Sequence, residues 1–337
     1  MHMADALLSP AVGTTMWGLT AGAIALSSRK VARLLDDRKV PLMGVMGAFI
    51  FAVQMINFSI PGTGSSGHLG GGLLLAILLG PHAAFLTMAS VLIVQALFFA
   101  DGGLLALGCN TFNLGIFPCF VAYPFIYRQI VGRKVAGRGR IVAASIVAAV
   151  IGLQFGSFAV VLQTVLSGVA ELTLPAFSLL MQPIHLAIGL VEGLATATVV
   201  IFLANARPDI LDGMNVAAEQ QSKSMRGILM ALLAMTIMIG GFLAWFASTD
   251  PDGLEWALHK VTGQHELVLS ESELHHSLQG LQEKTALLPD YDLPDGKGSR
   301  SGTSLAGLAG SGLVLLLTGG VVLLLRRRKG TSAGVEE

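Results

Sequence analysis

The sequence has little charge. Lys, Arg, Asp and Glu together make up 12% of its 337 residues, about half of their share in an ordinary soluble domain. A composition this low in charge excludes a water-soluble globular fold. The 21 basic and 21 acidic residues cancel, so the chain has no net positive field of the kind that attracts nucleic acid.

Cysteine is almost absent, with two residues in the chain, which is too few for a disulfide framework. Cys109 and Cys119 fall on one predicted helix. At about 1.5 Å of rise per residue they are about 15 Å apart, far beyond bridging distance. We expect two buried thiols.

The sequence also lacks hydrolase motifs such as HExxH and GxSxG. Gly62 and Gly67 have the glycine spacing of a nucleotide-binding P-loop, but His68-Leu69 stand where that motif needs Lys followed by Ser or Thr. The chain is therefore predicted to be no enzyme and to carry no ATP-binding site of its own.

Apolar residues are abundant. They make up 53% of the chain, which also has 41 glycines and a mean hydropathy of +0.71. This composition predicts an all-α polytopic membrane helix bundle with close helix contacts at small residues. Most of the apolar stretches approach the ~20 residues that cross a bilayer. They lie near residues 10–27, 40–57, 69–79, 83–99, 104–127, 141–167, 179–204, 226–247 and 305–325.

The third stretch, 69–79, is short and is followed by Gly80-Pro81-His82. Residues 69–99 are therefore either one kinked helix or two separate passes. With two passes and the N-terminus outside, 17 of the 21 basic residues fall in cytoplasmic segments, as the positive-inside rule requires. We predict a seven-pass core plus a two-pass C-terminal hairpin, with the N-terminus out and the C-terminus in.

Three parts are predicted along the chain. Residues 1–204 form the core, 205–225 a polar cytoplasmic linker, and 226–337 a two-pass unit with a long external loop at 248–305. No basic residue precedes the first apolar stretch, so we expect no signal peptide and a chain that starts at Met1. The loop is expected to be solvated and partly disordered rather than a metal site, although it carries His259, His265, His275 and His276.

The N-terminus is a candidate metal chelate. The amine of Met1, the amide nitrogen of His2 and its imidazole can close two fused rings on one ion. Planar nitrogen coordination suits Ni(II) or Cu(II), whereas Zn(II) prefers tetrahedral sites. His68, in the glycine-rich external connection 62–72, can supply the last ligand. The alternative is that His2 is a chance residue after the start and His68 an exposed loop histidine.

Glu192 is the only acidic residue in a predicted span, and His185 lies seven positions before it on nearly the same helix face. Ionisable groups at membrane depth are candidates for function. The two residues would relay protons in an ion-coupled secondary metal transporter, with 69–99 lining its pathway. The alternative is a hydrogen-bonded Glu192 that holds helices together.

Several segments resemble a known family, the nickel/cobalt substrate-binding components (NikM/CbiM type) of energy-coupling factor transporters. A further segment, PDGLEW at 251–256, is similar to the small NikN-type subunit with its PDGLE motif. Together they cover nearly the whole chain as a fused NikMN-like arrangement. The NikM/CbiM-like segments are MHMADALLS at 1–9, GHLGG at 67–71, DGGLLALGCNTFN at 101–113 and HLAIGLVEGL at 185–194.

The resemblance implies that the metal ligands are the amine of Met1, the amide and imidazole of His2, and the imidazole of His68. Ala6 stands where the family usually has glycine. Asp5 is predicted either to accept a hydrogen bond from a ligating imidazole or to cap a helix.

The resemblance further implies the substrate-specific subunit of an energy-coupling factor importer in the plasma membrane of a prokaryote. Such a subunit captures divalent nickel, or alternatively cobalt, at the outer face. Nickel is favoured by the planar nitrogen geometry and the fused PDGLE arrangement. The implied partners are a transmembrane coupling subunit and cytoplasmic ATPases, with no resident cofactor and no nucleic acid. A metal sensor without transport is a further alternative.

Overall fold

A computed structural model describes residues 2–34, 39–132, 137–168, 173–206, 225–263, 272–294 and 298–332, with side chains as far as 325. Met1 and most of the predicted linker at 205–225 lie outside these residues. Within them the chain is mostly helical and has two three-residue strands. The helices are α1 (Pro10–Leu34), α2 (Lys39–Gln54), α3 (Gly72–Leu79), α4 (Pro81–Phe99), α5 (Leu107–Thr111), α6 (Arg128–Val131), α7 (Arg138–Ser167), α8 (Leu174–Ala206), α9 (Met225–Gly241), α10 (Gly253–Thr262), α11 (Glu273–Thr285) and α12 (Arg300–Ser332).

The prediction of an apolar membrane helix bundle is confirmed. Among the described residues, five helices are long and apolar enough to cross a bilayer, and α2 and α9 are shorter apolar helices. The count of nine passes and the orientation of the termini stay predictions. The five long helices are Pro81–Phe99, Leu107–Val131, Arg138–Ser167, Leu174–Ala206 and Arg300–Leu325.

The 69–99 stretch is divided into two helices. Gly80 separates α3 from α4 with φ of 83°, a conformation that glycine adopts without strain, and Pro81 opens α4. Helix α3 has only eight residues, all buried, and is about 12 Å long. It starts later than the apolar pattern because 68–71 is non-helical backbone, which at membrane depth must be covered by protein.

A π-helix, Phe112–Tyr127, joins α5 to α6 and contains Pro118 and Pro124. A proline removes one backbone donor and crowds the preceding turn, and the wider π turn accommodates this. The hydropathy pattern predicts the helix but not its π geometry. Cys109 and Cys119 lie on this continuous helix as free, buried thiols, as expected.

Glycine allows the closest helix contacts. A Cβ on Gly193 of α8 would lie 2.4 Å from the Cα of Ile146 on α7, and a Cβ on Gly307 of α12 would lie 2.2 Å from the carbonyl oxygen of Gly240 on α9. Small residues at such positions bring membrane helices into van der Waals contact.

The expectation of a solvated loop at 248–305 is wrong for the described residues. They form α10, α11 and a 3₁₀ turn at Pro289–Tyr291. Asp252 and Glu255 make a capping box that starts α10. His275 on α11 is fully buried. The described parts of the loop therefore pack against the core.

Candidate metal site

The N-terminal segment lies inside the protein. The backbone N–H of Met3 donates to Asn110 Oδ1 at 2.8 Å, and the carbonyl of Met3 accepts from Gly103 N at 2.9 Å. Met3 is fully buried. These bonds fix the backbone next to His2 against the 101–110 segment. Met1, the first of the predicted ligands, is outside the described residues.

Asp5 has neither of its two predicted roles. Its Oδ1 accepts a hydrogen bond from the backbone N–H of Ala106 at 2.8 Å, and its position against Gly103 leaves no room for a Cβ there. Asp5 thus fastens the N-terminal turn to the loop before α5. The side chain that pairs with an imidazole is Asp101.

His68 follows a short antiparallel hairpin. Strand β1 (Phe58–Ile60) pairs with β2 (Ser65–Gly67), with Ser59 opposite Ser66. The segment that contains the PDGLE motif joins this hairpin, because Ser66 makes a parallel bridge to Asp252 and its N–H donates to the carbonyl of Pro251 at 2.8 Å. The C-terminal unit therefore supports the strand that leads into His68.

The backbone after His68 is held by two buried polar side chains. Both oxygens of Glu192 accept backbone N–H groups, from Gly70 at 2.7 Å and from Gly71 at 3.1 Å. Gln54 Nε2 donates to the carbonyl of Gly70 at 2.7 Å. Glycine is needed at position 71, where φ is 78° and a Cβ would lie 2.6 Å from Ile50.

The two residues considered for a proton relay have separate partners. Glu192 binds the glycine backbone, whereas His185 Nδ1 lies 2.8 Å from the carbonyl of Met181 on its own helix. This arrangement corresponds to the structural alternative for Glu192, a hydrogen-bonded carboxylate that holds chain segments together.

His2 and His68 meet in the folded chain. Their ring centroids are 5.0 Å apart and the ring planes are inclined by 8°. The His2 side chain is 7% exposed and His68 is 9% exposed. Imidazoles that share one metal, with metal–nitrogen bonds of about 2 Å, keep their ring centres within roughly 6 Å. The two rings are therefore close enough to bind one ion.

Among the described residues, each ring has a partner for one nitrogen and none for the other. His2 Nδ1 lies 2.9 Å from Asp101 Oδ1, and His68 Nδ1 lies 3.1 Å from the carbonyl of Leu69. The Nε2 atoms of both rings are buried with no hydrogen-bond partner in the described structure. Such orphaned atoms are rare in proteins, and here they provide two nitrogen donors at one place.

Burial lowers the pKa of His68 to about 3, because a protonated ring would lose its hydration. Burial alone would raise the pKa of Asp101, but the His2 ring and the Tyr291 hydroxyl outweigh it and hold this pKa below its usual range. At neutral pH the site thus combines a neutral imidazole with a carboxylate anion. A neutral imidazole can bind a divalent transition metal through its free nitrogen, and the nearby carboxylate adds negative charge beside it.

The loop histidines that the structure describes do not form a metal centre. Nε2 of His275 lies 3.0 Å from the carbonyl of Leu8 and 3.2 Å from that of Asp5, so His275 anchors the N-terminal turn. Among the described residues no group of three or more His, Cys, Asp or Glu side chains is placed to hold a metal ion. His265 lies outside those residues.

The sequence predicts no functional role for Asp101 or Tyr291. Asp101 is the first residue of the DGG segment that carries the family resemblance, which is the one signal that pointed to it. Tyr291 has no local signal, because its contact with Asp101 spans 190 positions.

Comparison with known proteins decides the family. The family model described as the cobalt uptake substrate-specific transmembrane region, CbiM, matches residues 2–210, and a PDGLE domain matches 226–327. The chain belongs to the CbiM family. It combines this nickel and cobalt transport region with a PDGLE domain, as the sequence resemblance predicted.

Relatives of this CbiM-family chain are metal transport proteins. A putative fused nickel transport protein, NikMN, of Archaeoglobus fulgidus is 35% identical over 94% of this chain and 96% of its own length. A cobalt transport protein, CbiM, of Geobacter sulfurreducens is 29% identical over 79% of this chain and 78% of its own length. A crystal structure of a truncated transition metal transporter matches with a TM-score of 0.54 and 32% identity, over 61% of this chain and 99% of that one.

Proposed function

We propose that this protein is the substrate-specific subunit of an energy-coupling factor importer that captures Ni²⁺ at the outer face of a prokaryotic plasma membrane. Residues 1–204 are the seven-pass capture core, 205–225 the cytoplasmic linker and 226–337 the two-pass unit. The N-terminus faces out and the C-terminus faces in. Energy for release comes from a coupling subunit and ATPases, because no nucleotide-binding motif is present in the sequence.

The observation that carries the proposal is the pair of buried rings of His2 and His68, 5.0 Å apart, whose Nε2 atoms have no hydrogen-bond partner among the described residues. The proposed ligands are the amine of Met1, His2 and His68. An all-nitrogen set supports nickel over cobalt, because Ni(II) readily accepts planar nitrogen coordination. The fused nickel transport relative supports the same choice.

A ring closed through the amide nitrogen of His2 uses Nδ1 of the same residue, because Nε2 points away from the backbone. Nδ1 is the atom that pairs with Asp101 at 2.9 Å. With nickel bound in this way, the imidazole would be turned about Cβ–Cγ relative to the orientation in the structure, and Asp101 would pair with Nε2 instead. In either orientation the carboxylate pairs with the nitrogen that the metal leaves free.

Transport in vesicles tests the function. The purified chain in liposomes should bind radioactive Ni²⁺ but should not accumulate it under an imposed proton gradient, whereas liposomes that also contain the coupling subunit and ATPases should accumulate it with ATP. His2→Ala should abolish that uptake, and His276→Ala, at an exposed histidine of α11, is the matched control. Accumulation by the chain alone under a proton gradient would overturn the proposal in favour of a secondary transporter.

A further inference from the structure

Tyr291 belongs to the C-terminal unit, but its hydroxyl reaches the N-terminal core. It donates to Asp101 Oδ2 at 2.5 Å, while Oδ1 of the same carboxylate lies 2.9 Å from His2 Nδ1. One carboxylate therefore connects the PDGLE unit to the imidazole at the proposed metal site. Short hydrogen bonds to a carboxylate are the stronger kind in proteins.

The backbone at Tyr291 is in an unusual conformation. Asp290 and Tyr291 have φ values of 51° and 60°, in the left-handed region that residues other than glycine seldom adopt. Such a conformation persists where surrounding contacts determine it, and it is found most often at functional sites. The contacts here are aromatic. The Tyr291 ring stacks on Phe99 at 4.9 Å and meets the edge of Phe51 at 6.0 Å.

The segment before Tyr291 is also fastened to the loop that carries Asp101. Gln282 Nε2 donates to the carbonyls of Ala96 and Gly102, at 2.9 and 2.8 Å. The N–H of Leu288 donates to the carbonyl of Phe98 at 3.1 Å. These bonds fix the backbone before and after Asp101 to the segment that leads to Tyr291. They therefore keep the Tyr291 hydroxyl next to the carboxylate.

The Tyr291 hydroxyl keeps its proton, and so remains a hydrogen-bond donor, at physiological pH. Burial and the charge of Asp101 raise the pKa of Tyr291 well above its ordinary value, so its proton stays on the oxygen at physiological pH. A phenol that always donates to Oδ2 leaves Oδ1 for the histidine. It thereby limits rotation of the carboxylate.

We propose that Tyr291 is a positioning residue of the metal site, which acts through Asp101 to orient the His2 imidazole. The proposal rests on the proposed function, and it makes metal affinity of the core depend on docking of the PDGLE unit. Partners of this kind, one bond removed from the ligand, commonly change metal affinity by about 10–100-fold.

The test compares Ni²⁺ affinities of the full-length protein by calorimetry. Tyr291→Phe keeps the stacked ring and removes the hydroxyl, and it should weaken binding about tenfold. Ser304→Ala is the control, because it removes a hydrogen bond of the same unit, from Trp245 Nε1 at 2.8 Å, and should leave the affinity within twofold. Unchanged affinity in Tyr291→Phe would overturn the proposal.

A double-variant cycle separates positioning from a general structural effect. If Tyr291 acts through Asp101, adding Tyr291→Phe to Asp101→Asn should change affinity no further. The electron paramagnetic resonance spectrum of bound Cu²⁺ should broaden in Tyr291→Phe and not in Ser304→Ala, because the His2 ring is then held less firmly. Additive losses of Ni²⁺ affinity in the double variant would contradict the proposal.

His2→Ala distinguishes this inference from the proposed function. Equal Ni²⁺ binding by wild type and His2→Ala would overturn the proposed function as well. Binding that is lost in His2→Ala but unchanged in Tyr291→Phe would overturn only this inference.

Discussion

Glu192 on α8 accepts a hydrogen bond from the backbone N–H of Gly70 at 2.7 Å, across 122 positions of the chain. This bond joins a membrane helix to the segment directly after His68. Since Glu192 also binds the N–H of Gly71, its carboxylate determines the path of the backbone that presents the imidazole. An acidic residue that hydropathy alone marks as a candidate proton carrier has a structural role here.

Replacing this carboxylate should weaken metal binding. In Glu192→Gln one acceptor oxygen becomes an NH₂ group that faces a backbone N–H, and a buried donor left unpaired costs about 1–3 kcal/mol. We expect Ni²⁺ affinity, measured by calorimetry, to fall by about tenfold. Gln182→Glu, at a partly buried side chain of the same helix, is a control for altered charge. Normal binding by Glu192→Gln with complete loss of transport would contradict the structural role and favour a proton relay.

Docking of the PDGLE segment should be sensitive to one methyl group. A Cβ on Gly253 would lie 2.6 Å from Ile184 Cγ2 of α8, so Gly253→Ala forces α10 away from α8 and disturbs the strand contact at Ser66. We expect faster backbone hydrogen exchange in 65–71 and weaker Ni²⁺ binding. Overpacking of this kind costs about 1–3 kcal/mol.

The matched control is Gly280→Ala, since nothing lies within 4 Å of a Cβ at that position of α11. The backbone hydrogen exchange of this variant and its Ni²⁺ affinity should match those of the wild type. Equal behaviour of the two variants would contradict the claim that α10 supports the hairpin before His68.

Much of the fold is readable from the sequence. Long apolar stretches predict the membrane helices because each must satisfy its own backbone in lipid. His2 and His68 are predicted as partners from residue chemistry and motif resemblance, and they lie together in the structure.

The contacts that support the site could not be predicted in the same way. Asp101 and Tyr291 meet across 190 positions, and no local periodicity encodes such a pairing. The polar composition of 248–305 indicated solvated chain, because two short amphipathic helices packed on a core carry a weaker pattern than a membrane span. The role of Asp5 could not be predicted either, because its partner is the backbone N–H of Ala106. Every residue except proline has such a group, so the sequence gives no signal for the contact.

Acid should open the loop that carries His68. Its pKa is lowered from 6.5 to about 3 when buried, so between these pH values an exposed ring binds a proton that the buried ring does not. The closed loop therefore loses stability as pH falls through this window. At pH 5 the open population should be about 25-fold larger than at pH 7.

Hydrogen exchange of 65–71 at pH 7 and pH 5, corrected for intrinsic rates, measures that population. His68→Gln has no titratable side chain at position 68, so its corrected exchange should rise much less between pH 7 and pH 5 than that of the wild type. Corrected exchange in the wild type that does not change between pH 7 and pH 5 would contradict the burial of a neutral His68.

We propose that the amine of Met1 binds one nickel ion together with His2 and His68. Calorimetric titration of Ni²⁺ and Co²⁺ into the intact protein and into a protein with one extra residue before Met1 tests it most directly, because the extension moves the amine out of chelating distance. We expect tight one-to-one Ni²⁺ binding and weaker Co²⁺ binding by the intact protein, and loss of both in the extended protein. Unchanged Ni²⁺ affinity in the extended protein would show that the amine of Met1 is not a ligand.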